Sequence, residues 1–435
     1  GGFGAMNALL AQLSQRQIYC LPFGRQLIVY GQWQHLDEAD HQRLQREKNQ
    51  LATADSAVTV LPLPCWLNSM VLSEALSGDE TQFGLFYLAP APVEPEPARL
   101  QQLLSGLYQT FPLLNSAVAW GDDGPELHLF TSPYEGAPEY ADATHYSGIT
   151  HYADADAFIR AQLLHPHSVF ERGMLRVVCA RCGDRMRWGI WLHHLVADAD
   201  FVQVLLARVQ GWLETGTWPE PDLHFIQQIW TLEQQLAAHH DRLRAFWREQ
   251  APTFSTRVAL PARALVPESP AVRFTLPDSP DLFTRVTLAL ARALSALALP
   301  GPHLAVTPVT LRRVGQQVSS GCYINLLPVL LDEQYEAEAF NRLRLSWLEH
   351  ALLPQEEITA LCGLNYRDAI VMINLIDTAL DTAGFEQRPE FRSRKPITLT
   401  LSRGEAGQRQ VTLTTRWGDV FSRALQHALR EALAR

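Results

Sequence analysis

The sequence predicts an α+β protein with two large lobes and a small leading module. Its 435 residues exceed one ordinary domain, so two or three packed units are expected. Apolar residues make up 47% of the chain and charged residues only 19%, which allows each lobe a substantial core. Strand-like and helix-like segments alternate without a regular repeat, and this favours α+β lobes over a doubly wound parallel sheet.

Composition excludes several classes of function. A net charge of -10 argues against nucleic-acid binding, which depends on clustered lysines and arginines. The longest apolar helical stretch, around 286–299, contains Arg292 and is too short to span a bilayer. The beginning of the chain lacks the pattern of a secretory signal, and its six cysteines suit a reducing compartment. We therefore expect a cytoplasmic protein that binds neither nucleic acid nor membrane.

One pair of cysteines has the spacing of a metal or redox motif. Cys179 and Cys182 form C-x-x-C, but no second Cys or His pair stands at zinc-ligand spacing. Gly183-Asp184 follows directly between two apolar runs, which favours a hairpin turn. The sequence therefore predicts no metal site, with metal or redox chemistry as the weaker alternative.

The leading module spans residues 6–54 and is followed by a linker at 52–56. Leu9, Leu10 and Leu13 predict a short amphipathic helix, and Asp37 is placed to cap a second helix. Between them, Pro22-Phe-Gly-Arg25 suits a turn between two short strands. The predicted elements are a helix at 7–15, strands at 18–21 and 26–30, and a helix from 37 to about 51.

The first lobe is predicted at 58–218, beginning near Leu61-Pro-Leu-Pro64. Leucines recur at helical spacing before Phe111 and mark a core stripe. Gly121-Asp-Asp-Gly124 suits a hairpin, and the apolar period changes from two to 3.6 residues across Asp198. The predicted strands are 84–88, 117–120, 127–130, 175–180 and 186–194, and the predicted helices are 97–111 and 200–213.

A polar connector at 219–252 with one helix near 230–249 leads to the second lobe at 253–435. Apolar runs of strand length and two helical stretches, the first ending before Pro300, predict its elements. The predicted helices are 281–297 and 420–433, and the predicted strands are 304–309, 322–330, 369–377 and a hairpin within 397–414.

The segment Trp191-Leu-His-His-Leu-Val-Ala-Asp-Ala199 is the main candidate for chemistry. Successive strand residues face opposite sides, so only one of the two histidines can point into a given cavity. We predict His194 as a general base and His193 as a buried, hydrogen-bonded side chain. The alternative is that both are core histidines and that Asp198 only caps a helix.

Asp198 is expected to fix the corner after the strand by pairing with an arginine. Arg176, Arg312 and Arg313 are the candidates. Because an arginine fork suits a carboxylate, Arg312 or Arg313 is also the sequence-level choice for binding an acidic acceptor.

Several segments together resemble condensation domains of nonribosomal peptide synthetases, within the chloramphenicol-acetyltransferase-like superfamily. The resemblance covers about residues 58–435. His193–Ala199 resembles the HH-x-x-x-D-G motif of the family, with Ala199 in place of the glycine and Asn115 in place of an arginine. The other segments that carry it are Leu61-Pro-Leu-Pro-Cys-Trp66, Phe111-Pro-Leu-Leu-Asn115, Gly173-Met-Leu-Arg176, Val306-Thr-Pro-Val-Thr-Leu-Arg-Arg313 and Gly321-Cys-Tyr-Ile-Asn-Leu-Leu-Pro328.

This resemblance implies two lobes in a V shape with a tunnel between them. It implies acyl transfer with His194 as the base, and Ala199 would narrow the tunnel or alter the corner. Asn325 resembles a family position that faces the active site, although an asparagine there could equally bond the neighbouring backbone. No bound cofactor is implied, because the phosphopantetheine arm belongs to a partner carrier protein.

Residues 6–54 resemble the β-hairpin docking domains at the N-termini of synthetase subunits. Such a module adds a short C-terminal tail of an upstream carrier-protein subunit to its hairpin edge, while basic side chains attract acidic residues of the tail. The expected contact residues are Arg25, Leu27, Val29, Arg43 and Lys48. The alternative is a local cap whose strand edge the chain itself covers.

A free-standing condensation unit with a docking module resembles chain-releasing condensation enzymes of polyketide pathways. That resemblance implies transfer of a polyketide or peptidyl chain to a hydroxyl of a free hydroxy acid, forming an ester. The alternatives are amide formation with a soluble amine, an O-acyltransferase that uses a coenzyme A thioester, and a non-catalytic recruitment domain.

Overall fold

The computed structural model describes residues 2–52, 57–90, 96–140, 151–376 and 381–435. Part of the predicted linker, residues 53–56, and Asp377 of a predicted strand lie outside these residues.

The chain divides into two compact units of mixed helix and strand. The first contains Gly1–Gln235, Gly315–Cys322 and Thr382–Gln387, and the second contains Leu236–Val314, Tyr323–Asp381 and Arg388–Arg435. Two short segments from the second half of the sequence therefore belong to the first unit, which the sequence did not predict. Within the described ranges, no helix has the length and apolar character needed to cross a bilayer.

The first unit carries the predicted hairpins and helices with small shifts at their ends. Short elements that the sequence analysis did not identify are β3, α3, β7 and α5. The elements are, in chain order, α1 (Gly2–Gln15), β1 (Ile18–Phe23), β2 (Gln26–Gly31), α2 (Glu38–Ala52), β3 (Val58–Pro62), α3 (Asn68–Ser77), β4 (Gly84–Leu88), α4 (Pro97–Thr110), β5 (Ser116–Gly121), β6 (Gly124–Phe130), β7 (Glu139–Tyr140), α5 (Ala155–Leu163), β8 (Leu175–Cys182), β9 (Arg185–His193) and α6 (Ala199–Thr215). The next helix, α7 (His224–Ser255), begins in the first unit and ends in the second.

The strands of the first unit form three sheets among its described residues. β1 pairs with β2, β3-β6-β5 form a second sheet, and β4-β9-β8-β7 form a third. In the third sheet β9 runs antiparallel to β4 and β8, and its last residue, His193, lies opposite Gly84. The predicted leucine stripe of α4 is buried, so that helix packs by its apolar face.

Two predictions about elements that begin in the first unit need correction. The strand expected to include His194 ends at His193. The helix expected from about Trp230 to Glu249 is the 32-residue α7, which begins at His224 and ends at Ser255. Polar residues along α7 hid its length, because only a narrow apolar face of this helix is buried.

The second unit is built on one six-stranded sheet, in the order β10-β15-β14-β13-β11-β12. β13 is parallel to both β11 and β14, and the other neighbours are antiparallel. The sequence analysis did not identify β10, α9 and α10. The elements are β10 (Val272–Pro277), α8 (Leu282–Ala296), β11 (His303–Thr310), β12 (Ile324–Leu331), α9 (Ala337–Glu349), α10 (Gln355–Cys362), β13 (Val371–Leu375), β14 (Ile397–Arg403), β15 (Gln408–Thr415) and α11 (Asp419–Leu433).

Candidate active site

His194 lies in a tight turn directly after β9. The turn is a single 3-10 helix, His194–Val196, between the strand and α6. The backbone N–H of His194 donates to the carbonyl of Phe83 at 2.8 Å, and that of Ala197 donates to the carbonyl of His194 at 3.3 Å. The turn therefore takes the His194 side chain out of the period-two strand pattern on which the sequence prediction rested.

The imidazole of His194 is held in one tautomer. Its Nδ1 is 2.7 Å from the carbonyl oxygen of Ala197. A carbonyl oxygen only accepts, so Nδ1 carries the proton and Nε2 keeps its lone pair. The side chain is half-buried, and the Sγ of Cys322 lies 3.8 Å from Nδ1. Such a ring is prepared to accept a proton at Nε2.

His193 has the opposite tautomer and is buried. Its Nδ1 accepts a hydrogen bond from the backbone N–H of Leu195 at 3.0 Å, so its Nε2 carries the proton. That Nε2 donates to Oε1 of Glu74 at 3.2 Å, and Glu74 also accepts from the backbone N–H of Val169 at 3.0 Å. His193 is only 1% exposed and Glu74 3%. These bonds connect α3 to the turn that carries His194.

A third histidine packs beside this pair. The rings of His167 and His193 are 6.3 Å apart. Burial lowers the pKa of His167 to about 4, and the neighbouring His193 acts in the same direction. His167 is therefore neutral near pH 7, and no positive charge develops on it beside the His193–Glu74 pair.

Asp198 caps α6. Its Oδ1 accepts from the backbone N–H of Phe201 at 2.9 Å, and its side chain is 1% exposed. Arg176, one of its three predicted partners, instead gives its Nε to Glu139 at 2.8 Å and a second N–H to the same carboxylate. The expectation of an Asp198–Arg176 pair is therefore wrong, since that guanidinium is committed to β7.

Ala199 is the first residue of α6 and is exposed. Its φ is not positive, since the non-glycine residues with positive φ among those described are Gln17, Ala298 and Ala383. The corner therefore does not require the glycine of the family motif, and alanine fits it without backbone strain.

The segment Gly315–Cys322 supports the corner from the other side. The backbone N–H of Asp198 donates to the carbonyl of Gly321 at 3.2 Å, and Ala197 forms a β-bridge with Gly321. The indole N–H of Trp66 donates to the carbonyl of Cys322 at 2.7 Å. These main-chain groups hold the residues that surround the His194 ring.

Asn325, predicted as a substrate-binding residue, is buried and bonded to backbone. It is 1% exposed, and its Nδ2 donates to the carbonyls of Ala351 and Leu353 at 2.7 Å each. The structure favours the alternative in which the amide bonds nearby backbone, because this loop has carbonyls that need a donor.

The predicted arginines of the second unit lie at the end of β11. The guanidinium of Arg312 lies over the ring of Tyr323 at 4.3 Å, and Arg313 is exposed. In the first unit Asn115, which stands where the family has an arginine, accepts a hydrogen bond from Arg172 at 2.8 Å. An arginine is thus present near that position, but it comes from elsewhere in the chain.

The leading module forms a groove between β2 and α2. The groove has a volume of about 350 Å³, and its lining includes Leu27, Val29, Trp33 and Lys48. In the part of the chain that the structure describes, β2 pairs with β1 on one edge and with no strand on the other. An unpaired edge beside an apolar groove can accept an added strand.

Two other predicted docking residues are placed differently. Arg25 is exposed at the turn between β1 and β2, whereas Arg43 donates to Gln12 of α1 at 2.9 Å. The module is attached to α7, where Gln227 exchanges hydrogen bonds of 2.8 and 3.2 Å with the backbone of Gly31.

The cysteines are separate thiols. The six cysteines, which all lie within the described ranges, form no disulfide there, and Cys179 lies in β8, whose last residue is Cys182, directly before the predicted turn at 183–184. Among the described residues, no three His, Cys, Asp or Glu side chains are grouped so as to hold a metal ion.

Sequence analysis missed Glu74, Cys322 and the carbonyl of Ala197. Glu74 had one available signal, because it lies three residues after the fully buried Val71 on the same face of α3. A carboxylate on a buried helix face needs a partner, which here is His193. Nothing in the sequence marks the contact of Cys322, because it depends on the return of residues 315–322 to the first unit. The contact of the Ala197 carbonyl is local, but it requires the turn at His194, where a continued strand was predicted.

Comparison with solved structures identifies the fold. The chain is similar to the starter condensation domain of rhizomide synthetase, with a TM-score of 0.63 and 17% identity over 86% of this chain and 95% of that one. It is also similar to the first condensation domain of the calcium-dependent antibiotic synthetase (TM-score 0.61, 17% identity, 86% and 95% covered). The condensation domain of the Monacolin K polyketide synthase is similar too, with a TM-score of 0.64 and 13% identity over 87% of this chain and 98% of that one.

No protein-family model matches the sequence, and no curated protein matches it either. The similarity to these three solved structures shows that the chain has the condensation-domain fold.

Proposed function

We propose that this protein is an acyltransferase of the condensation type. It would move a polyketide or peptidyl chain from the phosphopantetheine thioester of a carrier protein to a hydroxyl of a free acceptor, and so release the chain as an ester. The observation that carries this proposal is the His194 ring, whose Nδ1 is bonded to a carbonyl oxygen, so that Nε2 is the basic nitrogen of the imidazole.

The reaction balances without a resident cofactor. Nε2 of His194 takes the proton of the acceptor hydroxyl while its oxygen bonds to the thioester carbonyl carbon. The carbon–sulfur bond then breaks, and the imidazolium returns the proton to the sulfur. The products are an ester and the free thiol of the carrier. General-base action of this kind contributes about 10²–10⁴-fold, so positioning of both substrates must supply the rest.

The acceptor proposal rests on a narrower resemblance. The combination of docking module and free-standing condensation unit resembles the chain-releasing enzyme of enacyloxin biosynthesis, which implies a dihydroxycyclohexane carboxylic acid as acceptor. The exposed Arg313 and the stacked Arg312 remain the proposed partners of its carboxylate.

The leading module is proposed to dock the carrier-protein subunit. The lining of its groove combines the apolar Leu27, Val29 and Trp33 with the cationic Lys48. A short tail would add to the free edge of β2, bury alternate apolar side chains in the groove and place acidic residues near Lys48 and Arg25.

An acceptor competition tests the function. Acyl-loaded carrier protein is incubated with the enzyme, a hydroxy acid and a matched amine, and products are identified by mass spectrometry. The proposal expects the ester and an unloaded carrier. Amide as the sole product would establish the amide-forming alternative. Equal turnover with an acyl-coenzyme A donor, unaffected by changes in the groove, would favour the coenzyme A-dependent one.

A further inference from the structure

The second unit contains a cavity with a strong excess of positive charge. It has a volume of about 580 Å³ and lies at the end of the sheet where the strands β11, β13 and β14 begin and β15 ends. We call it the basic cavity. Its charged lining residues are Arg257, Arg263, Arg367, Arg394, Lys395 and Asp368.

The excess of positive charge in the cavity is opposite in sign to the net charge of the whole protein. The cavity has five cationic side chains against one carboxylate, whereas the protein has 36 Lys and Arg against 46 Asp and Glu. Like charges gathered around a concave surface repel one another and concentrate positive potential there. A bound anion would relieve this repulsion.

Arg257, Arg367 and Lys395 form no ion pair with a carboxylate in the part of the chain that the structure describes. Arg257 donates to the carbonyls of Phe254 and Gly363 at 3.0 and 3.1 Å. Lys395 donates to the carbonyl of Tyr366, and Arg367 makes no side-chain hydrogen bond or ion pair within the described ranges. Carbonyl oxygens orient these groups and bring no formal negative charge to offset theirs.

Arg263 is held against an aromatic wall of the cavity. Its guanidinium lies 4.9 Å from the ring of Trp417, and it donates to the carbonyl of that residue at 3.3 Å. Stacking fixes the plane of the guanidinium and leaves most of its N–H groups available, as bidentate recognition of an oxyanion requires. Leu260 and Ile370 add apolar lining.

We propose that the basic cavity binds a small molecule bearing a phosphate or polyphosphate group. The arginine forks and the Lys395 ammonium suit phosphate oxygens, and the volume leaves room for an organic portion against Trp417. This site lies wholly in the second unit and is independent of the function proposed for His194.

The reactivity of the Lys395 amine reports independently on whether an anion occupies the basic cavity. Burial lowers its pKa to about 8. A bound anion favours the ammonium form and raises that pKa, so the amine becomes less nucleophilic when the cavity is filled.

The test uses the full chain and pyrophosphate as the probe. Titration calorimetry at low salt is expected to give saturable binding at or below about 1 mM. Arg367→Glu should weaken it at least about tenfold, and Lys395→Met should do the same without a charge reversal. Arg292→Glu, on the exposed face of α8, is the matched control and should bind as the parent does.

A second measurement reports on the site directly. Pyrophosphate should protect Lys395 from an amine-reactive acylating reagent at pH 8, as read by peptide mass spectrometry. Absence of saturable binding, equal weakening by Arg292→Glu, or unprotected Lys395 at saturation would each overturn the proposal. Tighter binding of citrate than of pyrophosphate would overturn the assignment to phosphate.

Discussion

Replacing Glu74 by glutamine should weaken both the fold and the turn that carries His194. The two carboxylate oxygens accept from His193 at 3.2 Å and from the backbone of Val169 at 3.0 Å. Glutamine keeps one acceptor and turns a donor toward the other site. His193 cannot compensate, since its Nδ1 must accept from Leu195. One buried donor is left unpaired, which costs about 1–3 kcal/mol.

The matched control is Glu357→Gln in the second unit. Glu357 also accepts from a histidine, His240, at 2.9 Å, and from Arg244 at 2.6 Å. These groups are 29–39% exposed, and such exposed pairs contribute only about 0–1 kcal/mol. Denaturant midpoints of both variants, compared with the parent, measure the difference.

Glu74 contacts no reacting atom in this account, so its effect on catalysis should be one of positioning. We expect kcat for acyl transfer to fall about tenfold, equivalent to about 1.4 kcal/mol, with KM and the midpoint of the pH–rate profile unchanged. Equal destabilisation by Glu74→Gln and Glu357→Gln, or a Glu74→Gln enzyme with parental stability and kcat, would refute the reasoning.

Further predictions concern pH, docking and packing. Burial depresses the pKa of His167 in the folded protein to about 4, so the unfolded chain takes up a proton first as pH falls through about 6.5. The free energy of unfolding should therefore drop by up to about 3 kcal/mol toward pH 4. His167→Leu should flatten that pH dependence in denaturation curves. Charge reversal of Arg25 and Lys48 to glutamate should weaken both the affinity for the carrier protein and the salt dependence of binding. Arg423→Glu on α11, an exposed control, should change neither. Unchanged affinity of the Arg25 and Lys48 variants would contradict a docking role for the module. Asn325→Ala should lower the free energy of unfolding, measured by denaturant titration, by about 1–3 kcal/mol because two carbonyls lose their donor. A fully stable variant with a raised acceptor KM would instead support its predicted contact with substrate.

The fold could largely be predicted where a pattern is local. The leucines of α4 recur at helical spacing and are buried, and the turn at Gly183-Asp184 joins β8 and β9 as expected. α7 was underestimated, since its polar residues conceal a helix that buries only part of its surface. The return of Gly315–Cys322 to the first unit has no local signal, because it depends on contacts between distant parts of the chain.

For the candidate site, the sequence pointed to the two adjacent histidines and Asp198 but not to the geometry around them. The two adjacent histidines stand at the end of a strand, yet His194 belongs to a turn and not to the strand. Alternation alone cannot foresee where a strand ends. Asp198 caps a helix, which was the simpler alternative, while the carboxylate that bonds His193 is Glu74, 119 residues earlier in the chain.

Replacement of His194 by alanine tests the central claim most directly. Intact mass spectrometry would follow the loss of the acyl group from the carrier protein in the presence of the acceptor. The account predicts a folded variant whose transfer is slower by about 10²–10⁴-fold, with His427→Ala, an exposed histidine of α11, at the parental rate. Transfer at the parental rate by His194→Ala would contradict the assignment of this imidazole as the base.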